Sequence, residues 1–250
     1  LTLGQIKKLS LKNNIINMDT RTVVSCINYK NTNLLYDHSL NDSSDNIKPI
    51  LNWLNQLKKE FTLRTKIISL ADLQGWETND HEIVRNDKKF FKVIGADIKI
   101  ENREVKSWQQ PLIKPMDKGI VALFTKKINN EYHYLVNAKV ECGHADIVEL
   151  GPTISLSSER LNDKKDISKL LDIISKQKYK KKIFDTLQSE EGGRFFHEEN
   201  RNILVEVEDI AQLDDENNYR WISLNQILFL LNYSNIINIQ LRSLISLINK

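Results

Sequence analysis

Three stretches of the 250-residue chain hold most of the side chains that could do chemistry. They are "REVKSWQQP" (Arg103–Pro111), "NAKVECGHADIVELGPT" (Asn137–Thr153) and "SEEGGRFFHEENRN" (Ser189–Asn202). Each sets charged residues beside glycine or an aromatic. Together they offer carboxylates, imidazoles, lysines and arginines, the groups from which proton transfer and anion binding are built. None is a metal signature: His144 and His197 stand alone, and Cys142-Gly143-His144 lacks a second ligand pair at zinc spacing. "EEGG" has neither the Lys-Ser/Thr of a phosphate loop nor a dinucleotide fingerprint. There is no Gly-x-Ser-x-Gly elbow.

Each of these residues has a structural reading beside the chemical one. Lys139 and Glu141 alternate along one strand, a spacing that serves a solvated face as well as a site. Cys142 and His144 sit in a turn-like "CGH", and "EENRN" suits a surface turn. Trp108 and Trp221 fit a core or sheet edge as readily as a ligand platform. Arg220 precedes Trp221 just before a helix and could cap the fold.

Elements must position these clusters. "IKPILNWLNQLKKEF" (Ile47–Phe61) sets Ile50, Trp53, Leu54, Leu57 and Phe61 at helical spacing. "TKIISLADL", "FFKVIGADIKI", "GIVALFTKKI", "YHYLVNAKVE", "DIVELGPTISL" and "NILVEVE" read as strands between polar or Gly/Pro turns. Asn129–Asn130 supplies a hairpin turn. "DISKLLDIISKQ" predicts a helix, and a second helix is expected to open at "FDTLQSEEGGR". Helices among mixed strands give an α+β class. The polar stretch Asn31–Asn46 reads as a linker.

The two ends of the chain repeat one another. Leu1–Ile27 aligns without a gap over Ile222–Ile248, with 11 of 27 pairs identical. Gln5/Gln226, Asn14/Asn235, Asn17/Asn238 and Arg21/Arg242 are among them. A repeat of this length points to duplicated units. Residues 1–28 are therefore expected to be the closing helices of a preceding module, 29–46 a linker and 47–250 a second module. Arg21 and Arg242, at one place in both copies, suit a buried structural ion pair better than catalysis.

Composition narrows the classes. The 36 basic and 33 acidic residues are well mixed, giving a net charge of +3, which does not advertise nucleic-acid binding. The basic run "KQKYKKKIF" reads as a solvated helix end or loop. Two cysteines fit a reduced, cytoplasmic protein. No apolar run has membrane-spanning length, so no membrane partner is expected.

The clusters, taken in order, resemble the NDP-hexose 2,3-dehydratases of deoxysugar biosynthesis. The matching text is "NIINMDTRTVVSC", "REVKSWQQPLI", "AKVECGHADIVELGPT", "DTLQSEEGGRFFHEENRN", "YRWISLNQIL" and "NIQLRSLIS". The resemblance implies two tandem Nudix-like modules, a mixed sheet flanked by helices, and a homodimer. It also implies a dTDP-linked 4-keto-6-deoxy sugar as substrate and no cofactor. The chain lacks the Glu-rich helix pattern with which true Nudix hydrolases hold metal, so metal-dependent pyrophosphate cleavage is not expected. No metal ligands are assigned.

In such a reaction a base takes the C3 proton, which the C4 ketone acidifies. A donor stabilises the enolate oxygen, and an acid protonates the departing C2 hydroxyl. The enol then becomes a 3,4-diketo-2,6-dideoxy sugar. The resemblance assigns Glu141 or His144 as base or acid and Lys139 to the ketone, with Glu149 and Glu191 as alternates. Arg194 and Arg201 are assigned to the diphosphate. Trp108, Gln109 and Phe195 would frame the sugar or thymine. Gln110, Thr153, His197, Arg220 and Trp221 complete the expected substrate contacts. A second reading makes this module a nucleotide-binding or dimerisation unit, with the chemistry in the other module.

Overall fold

The computed structural model describes residues 1–27, 44–156, 165–208 and 218–248. Most of the expected linker lies outside them; residues 44–46 already belong to a helix. Six helices and eleven strands among the described residues form an α+β fold. No helix among them is long and apolar enough to cross a membrane.

The larger sheet has the order β11-β6-β5-β10-β9: β5 (Gly119–Ile128), β6 (Glu131–Lys139), β9 (Lys181–Ser189), β10 (Glu199–Glu206) and β11 (Tyr219–Ser223). All neighbours are antiparallel except β10 and β5. Asn129 and Asn130 both take positive φ, 50° and 65°, and close the β5–β6 hairpin as expected. Beyond Phe124 the two strands diverge, and the short strands β7 (Glu149–Gly151) and β8 (Ile154–Leu156) enter the fork. Thr153 sits at its apex. Its hydroxyl donates to the Leu135 carbonyl at 2.6 Å and accepts from the Phe124 amide at 2.9 Å. A buried hydroxyl there satisfies two backbone groups that the fork leaves unpaired.

Side-chain alternation splits the core. One face of the sheet sends Val121, Leu123, Val136, Leu204 and Ile222 against α3 (Ser44–Glu60), α5 (Leu224–Leu230) and α6 (Ile239–Ser246). The opposite face sends Phe124, Leu135, Ile203 and Val205 against Leu170 and Ile174 of α4 (Lys165–Ser175). A smaller antiparallel sheet runs β1 (Trp76–Thr78), β2 (Glu82–Arg85), β3 (Phe91–Lys99) and β4 (Ser107–Pro115) in chain order. Its β4 edge joins the larger domain through Ile113, whose amide donates to Arg194 O at 2.8 Å and whose carbonyl accepts from Phe196 N at 2.7 Å.

The terminal repeat is structural as well as sequential. α1 (Leu3–Ser10) starts at a Thr2/Gln5 capping box, and α5 at a Ser223/Gln226 box. α2 (Met18–Ser25) is capped by Asn17 and α6 by Asn238. Asn14 and Asn235 take the same left-handed conformation, φ 54° and 59°. The two pairs are used differently: α5–α6 seal their own sheet, whereas α1–α2 pack beside α6 and cap the β9 edge. There Asn14 N donates to Leu187 O at 3.0 Å, and Leu187 N donates to Asn13 Oδ1 at 2.9 Å.

Three local expectations are corrected. "TKIISLADL" is no strand; it is an extended segment ending in a short 3-10 turn at Leu70–Asp72, with Ile67 fully in solvent. The helix expected at "FDTLQSEEGGR" is β9 and a following turn. Its inward residues after Phe184 are Thr186 and Gln188, so an alternating burial pattern carries no hydrophobic signal. "SWQQPLIKP", left without an element, is β4.

Candidate active site

The two sheets enclose a cleft of about 430 Å³. Its floor is the end of the larger sheet: Gly119 and Val121 of β5, Ser155 of β8 and Asn200 of β10. Gln240 of α6 and Glu141 border it on one side, and Glu198 and Phe195 on another. Trp76, Arg85, Phe90 and Phe91 of the small sheet close it from above. Trp76 and Phe91 form a tilted pair with centroids 5.2 Å apart. Arg85 lies 4.6 Å over the Phe90 ring while bonded to Asp87.

The second sequence cluster is brought together at this cleft. After β6 the chain turns at Glu141–His144, with the His144 amide donating to the Glu141 carbonyl at 3.1 Å. The turn folds the imidazole back, so that Nε2 lies 3.4 Å from Glu141 Oε2 and 3.9 Å from Glu149 Oε2. Nδ1 of His144 is buried and has no hydrogen-bond partner among the described residues. Lys139 donates to Glu141 Oε1 at 2.7 Å and to Ser155 O at 3.4 Å. Lys139 and Glu149 are register partners on β6 and β7. Four candidates thus meet in one acid–base group, of which Glu141 borders the cleft. Among the described residues no three His, Cys, Asp or Glu side chains come together as metal ligands.

The third cluster is divided by strand alternation. Asn200 faces the cleft, and its Oδ1 accepts from Gly119 N at 3.0 Å. Its neighbour Arg201 points to the opposite face and is forked onto Asp185 at 2.8 and 2.7 Å. That bond holds the Asp185 carboxyl below its ordinary range. Glu191 accepts from Gly193 N at 2.6 Å and from Arg194, closing the "EEGGR" turn; the Arg194 bond holds Glu191 low. Arg194 itself stands well exposed. Phe195 reaches the cleft, whereas His197, in left-handed conformation, stacks on Phe196 at 4.2 Å.

The remaining expected contacts are placed elsewhere. Trp108 donates to Gln110 at 2.7 Å, and Gln110 donates to Gly193 O at 2.7 Å, which ties β4 to the "EEGGR" turn. Gln109, on the other face, meets Asp97 at 3.4 Å. Trp108 also borders a shallow hollow of about 660 Å³ formed by the β3–β4 loop, lined by Asn102, Arg103, Glu104 and Val105. Thr153 is fully buried in the β5–β6 fork. Arg220 donates to Pro49 O at 2.8 Å and lies 4.7 Å over the Trp53 ring, fastening α3. Trp221 carries Lys126 at 4.6 Å.

Sequence reasoning passed over Glu198 and Asn200 inside a cluster it had named. Glu198 is held above the usual carboxylate range by burial first and by repulsion from Glu190 second, while a hydrogen bond with Asn200 pulls the other way. Glu190 is likewise raised by burial, opposed by the Asn200 bond at 2.7 Å and by the charge on Arg21. Two buried carboxyls of like charge beside one amide was the available signal. Trp76, Arg85 and Phe91 carried no motif, and only the sheet packing reveals them.

A family model described as NDP-hexose 2,3-dehydratase matches residues 47–248. The chain is 33% identical over 98% of its length to a dTDP-4-dehydro-6-deoxy-alpha-D-glucopyranose 2,3-dehydratase of Saccharopolyspora spinosa, covering 54% of that protein. Proteins of the same name from Streptomyces violaceoruber and Amycolatopsis orientalis are each 32% identical, covering 93% and 100% of this chain and 53% and 51% of theirs. The chain spans about half the length of these curated relatives.

Proposed function

The chain belongs to the NDP-hexose 2,3-dehydratase family, and on that premise we propose that it is the catalytic half of a sugar-nucleotide 2,3-dehydratase. The substrate is a dTDP-linked 4-keto-6-deoxy-hexose held between the two sheets. The observation that carries this reading is Glu141 at the cleft wall, its carboxylate bonded to Lys139 and 3.4 Å from His144.

The chemistry maps onto that group. Glu141, or His144 through it, removes the C3 proton acidified by the neighbouring ketone. Lys139 orients Glu141 through their hydrogen bond, and its ammonium supplies positive charge toward the enolate oxygen. The C2 hydroxyl leaves as water after taking a proton from a group that is neutral at working pH. Glu198 borders the same cleft and is shifted, by burial first, toward the protonated form that can donate it. The aromatic shelf of Trp76 and Phe91 suits a nucleobase, and Arg85 beside it suits a phosphate oxygen. Arg194, exposed and next in sequence to the cleft residue Phe195, can turn from Glu191 to the diphosphate; Arg201 faces away.

Residues 1–28 serve as the closing helix pair of a preceding copy, and residues 47–250 form the second module. The whole protein works as a homodimer in the cytoplasm, where two exposed free cysteines stay reduced. The half-length match favours one other reading, in which this module binds nucleotide while the other half of the protein performs the elimination. Titrating this chain with dTDP and assaying Glu141→Gln in the full-length enzyme separates the two. Turnover lost in that variant supports catalysis here. Binding by this chain with unchanged turnover in the variant supports the second reading.

A further inference from the structure

Arg21 is the largest fully buried side chain among the described residues, and it belongs to the N-terminal helix pair rather than to the module that buries it. We propose that Arg21 is a positioning residue for the cleft, through which α2 holds the Glu190–Glu198–Asn200 corner in place. The guanidinium donates from Nη1 to Gln188 Oε1 at 2.8 Å and to the Ile16 carbonyl, from Nη2 to Ser189 O at 3.0 Å, and from Nε to Ser243 Oγ of α6 at 2.7 Å. One planar fork thus joins α2, α6 and the end of β9.

The path continues to the cleft without a gap. Ser189 precedes Glu190, whose amide donates to Glu198 O at 2.9 Å. Asn200 then donates to Glu190 Oε1 at 2.7 Å and accepts from Gly119 N on the cleft floor. Gln188 is fixed from its other end, donating to Ser10 O at 2.8 Å and to Thr186 Oγ1 at 3.0 Å. The charged groups acting on this corner are Arg21 and Asp19 from α2 and the two carboxyls themselves; Asn200 is the neutral donor. Burial pulls Arg21 down to about 10, against the attraction of Glu190 and Asp19, so it stays a cation at neutral pH.

The repeat sharpens the assignment. Arg242 occupies the same place in α6, and its Nε donates to Ile237 O at 2.9 Å, the counterpart of the Arg21–Ile16 bond. Among the described residues, no strand of this module offers Arg242 what Gln188 and Ser189 offer Arg21. The N-terminal pair therefore contributes a group that the module's own closing pair does not.

The catalytic meaning of this corner rests on the cleft being the substrate site; the following measurement does not. Carbon-13 NMR of labelled glutamate carboxyls, titrated in the 250-residue chain, reads Glu190 and Glu198 directly. In Arg21→Met the Glu190 midpoint moves upward, by about one pH unit, because the cation that opposes its burial is gone. In Arg21→Lys, which keeps the charge but loses the fork, the shift is smaller and in the same direction. Arg242→Met leaves both where they are. An unchanged Glu190 midpoint in either folded Arg21 variant, or an equal shift in Arg242→Met, overturns the proposal.

Discussion

Lys139 lies across Gly151. A Cβ placed on that glycine would stand 2.8 Å from Lys139 Cδ and 3.0 Å from Asn238 Nδ2. The register pairs Gly151 with Asn137 and Lys139 with Glu149, so the lysine stem runs back over the glycine before its ammonium reaches Glu141. The absent side chain is what lets the ion pair form at the cleft wall.

Gly151→Ala should therefore keep the fold and lose activity. The flexible lysine can yield, at the cost of its bond to Glu141. We expect a drop in turnover of roughly tenfold or more, since a displacement near 1 Å is enough to do this, with a small change in melting temperature. Steady-state kinetics on the full-length enzyme with a parallel thermal melt checks it. A large loss of stability with normal turnover in the surviving fraction would contradict it.

Thr153→Val should act on stability alone. The substitution is close in shape but leaves Leu135 O and Phe124 N unpaired in the β5–β6 fork. The cost is about 1–3 kcal/mol, read from urea unfolding. Thr153→Ser, which keeps the hydroxyl, should recover most of it.

Arg201→Gln separates the observed placement from the sequence expectation. Arg201 is forked onto Asp185 on the face away from the cleft. Affinity for dTDP should be unchanged, measured by isothermal titration. A loss of tenfold or more would return Arg201 to the diphosphate.

The carboxyls set opposite trends with pH. Asp185, lowered in the folded state, stabilises above its ordinary value near 3.8, and that contribution is lost as pH falls through its folded value. Glu190 and Glu198 are raised, so their contribution is full below about 4.5 and is lost as pH rises through their folded values. Glu198→Gln should accordingly raise the melting temperature at pH 7 and leave it unchanged at pH 4. Turnover should fall in the same variant. A melting temperature lowered at pH 7 would show that the ionised carboxylate is stabilising instead.

Arg220→Ala tests the docking of α3. The guanidinium bonds Pro49 O and lies over Trp53, both on that helix. The loss is about 1 kcal/mol or somewhat more, seen in urea unfolding, with dTDP binding unaffected.

The local elements were legible where the pattern was hydrophobic. The helical stripe of Ile50, Trp53, Leu54 and Leu57 is buried as α3, and β5, β6 and β10 follow their apolar runs. β9 was missed because its inward residues are the polar Thr186 and Gln188, and Gln188 bonds backbone carbonyls supplied by residues near the N-terminus. β4 was missed because Gln109, Gln110 and two prolines hide its alternation. Within the site, the "AKVECGH" group was legible because its members are close in sequence and one turn gathers them. The aromatic shelf was not, since Trp76 and Phe91 meet the cleft only through sheet packing.

The sequence by itself determined which residue types were available, the family they belong to, and that the chain's two ends are copies of one helix pair. It did so because motifs and repeats are one-dimensional and survive in order along the chain. Only the tertiary structure decided that Arg201 faces away while Asn200 faces the cleft, that Thr153 is a fork staple, and that Arg21 is buried behind the acid corner. Those outcomes depend on which face of a strand lies against which neighbour, and on burial created by segments more than 160 residues apart.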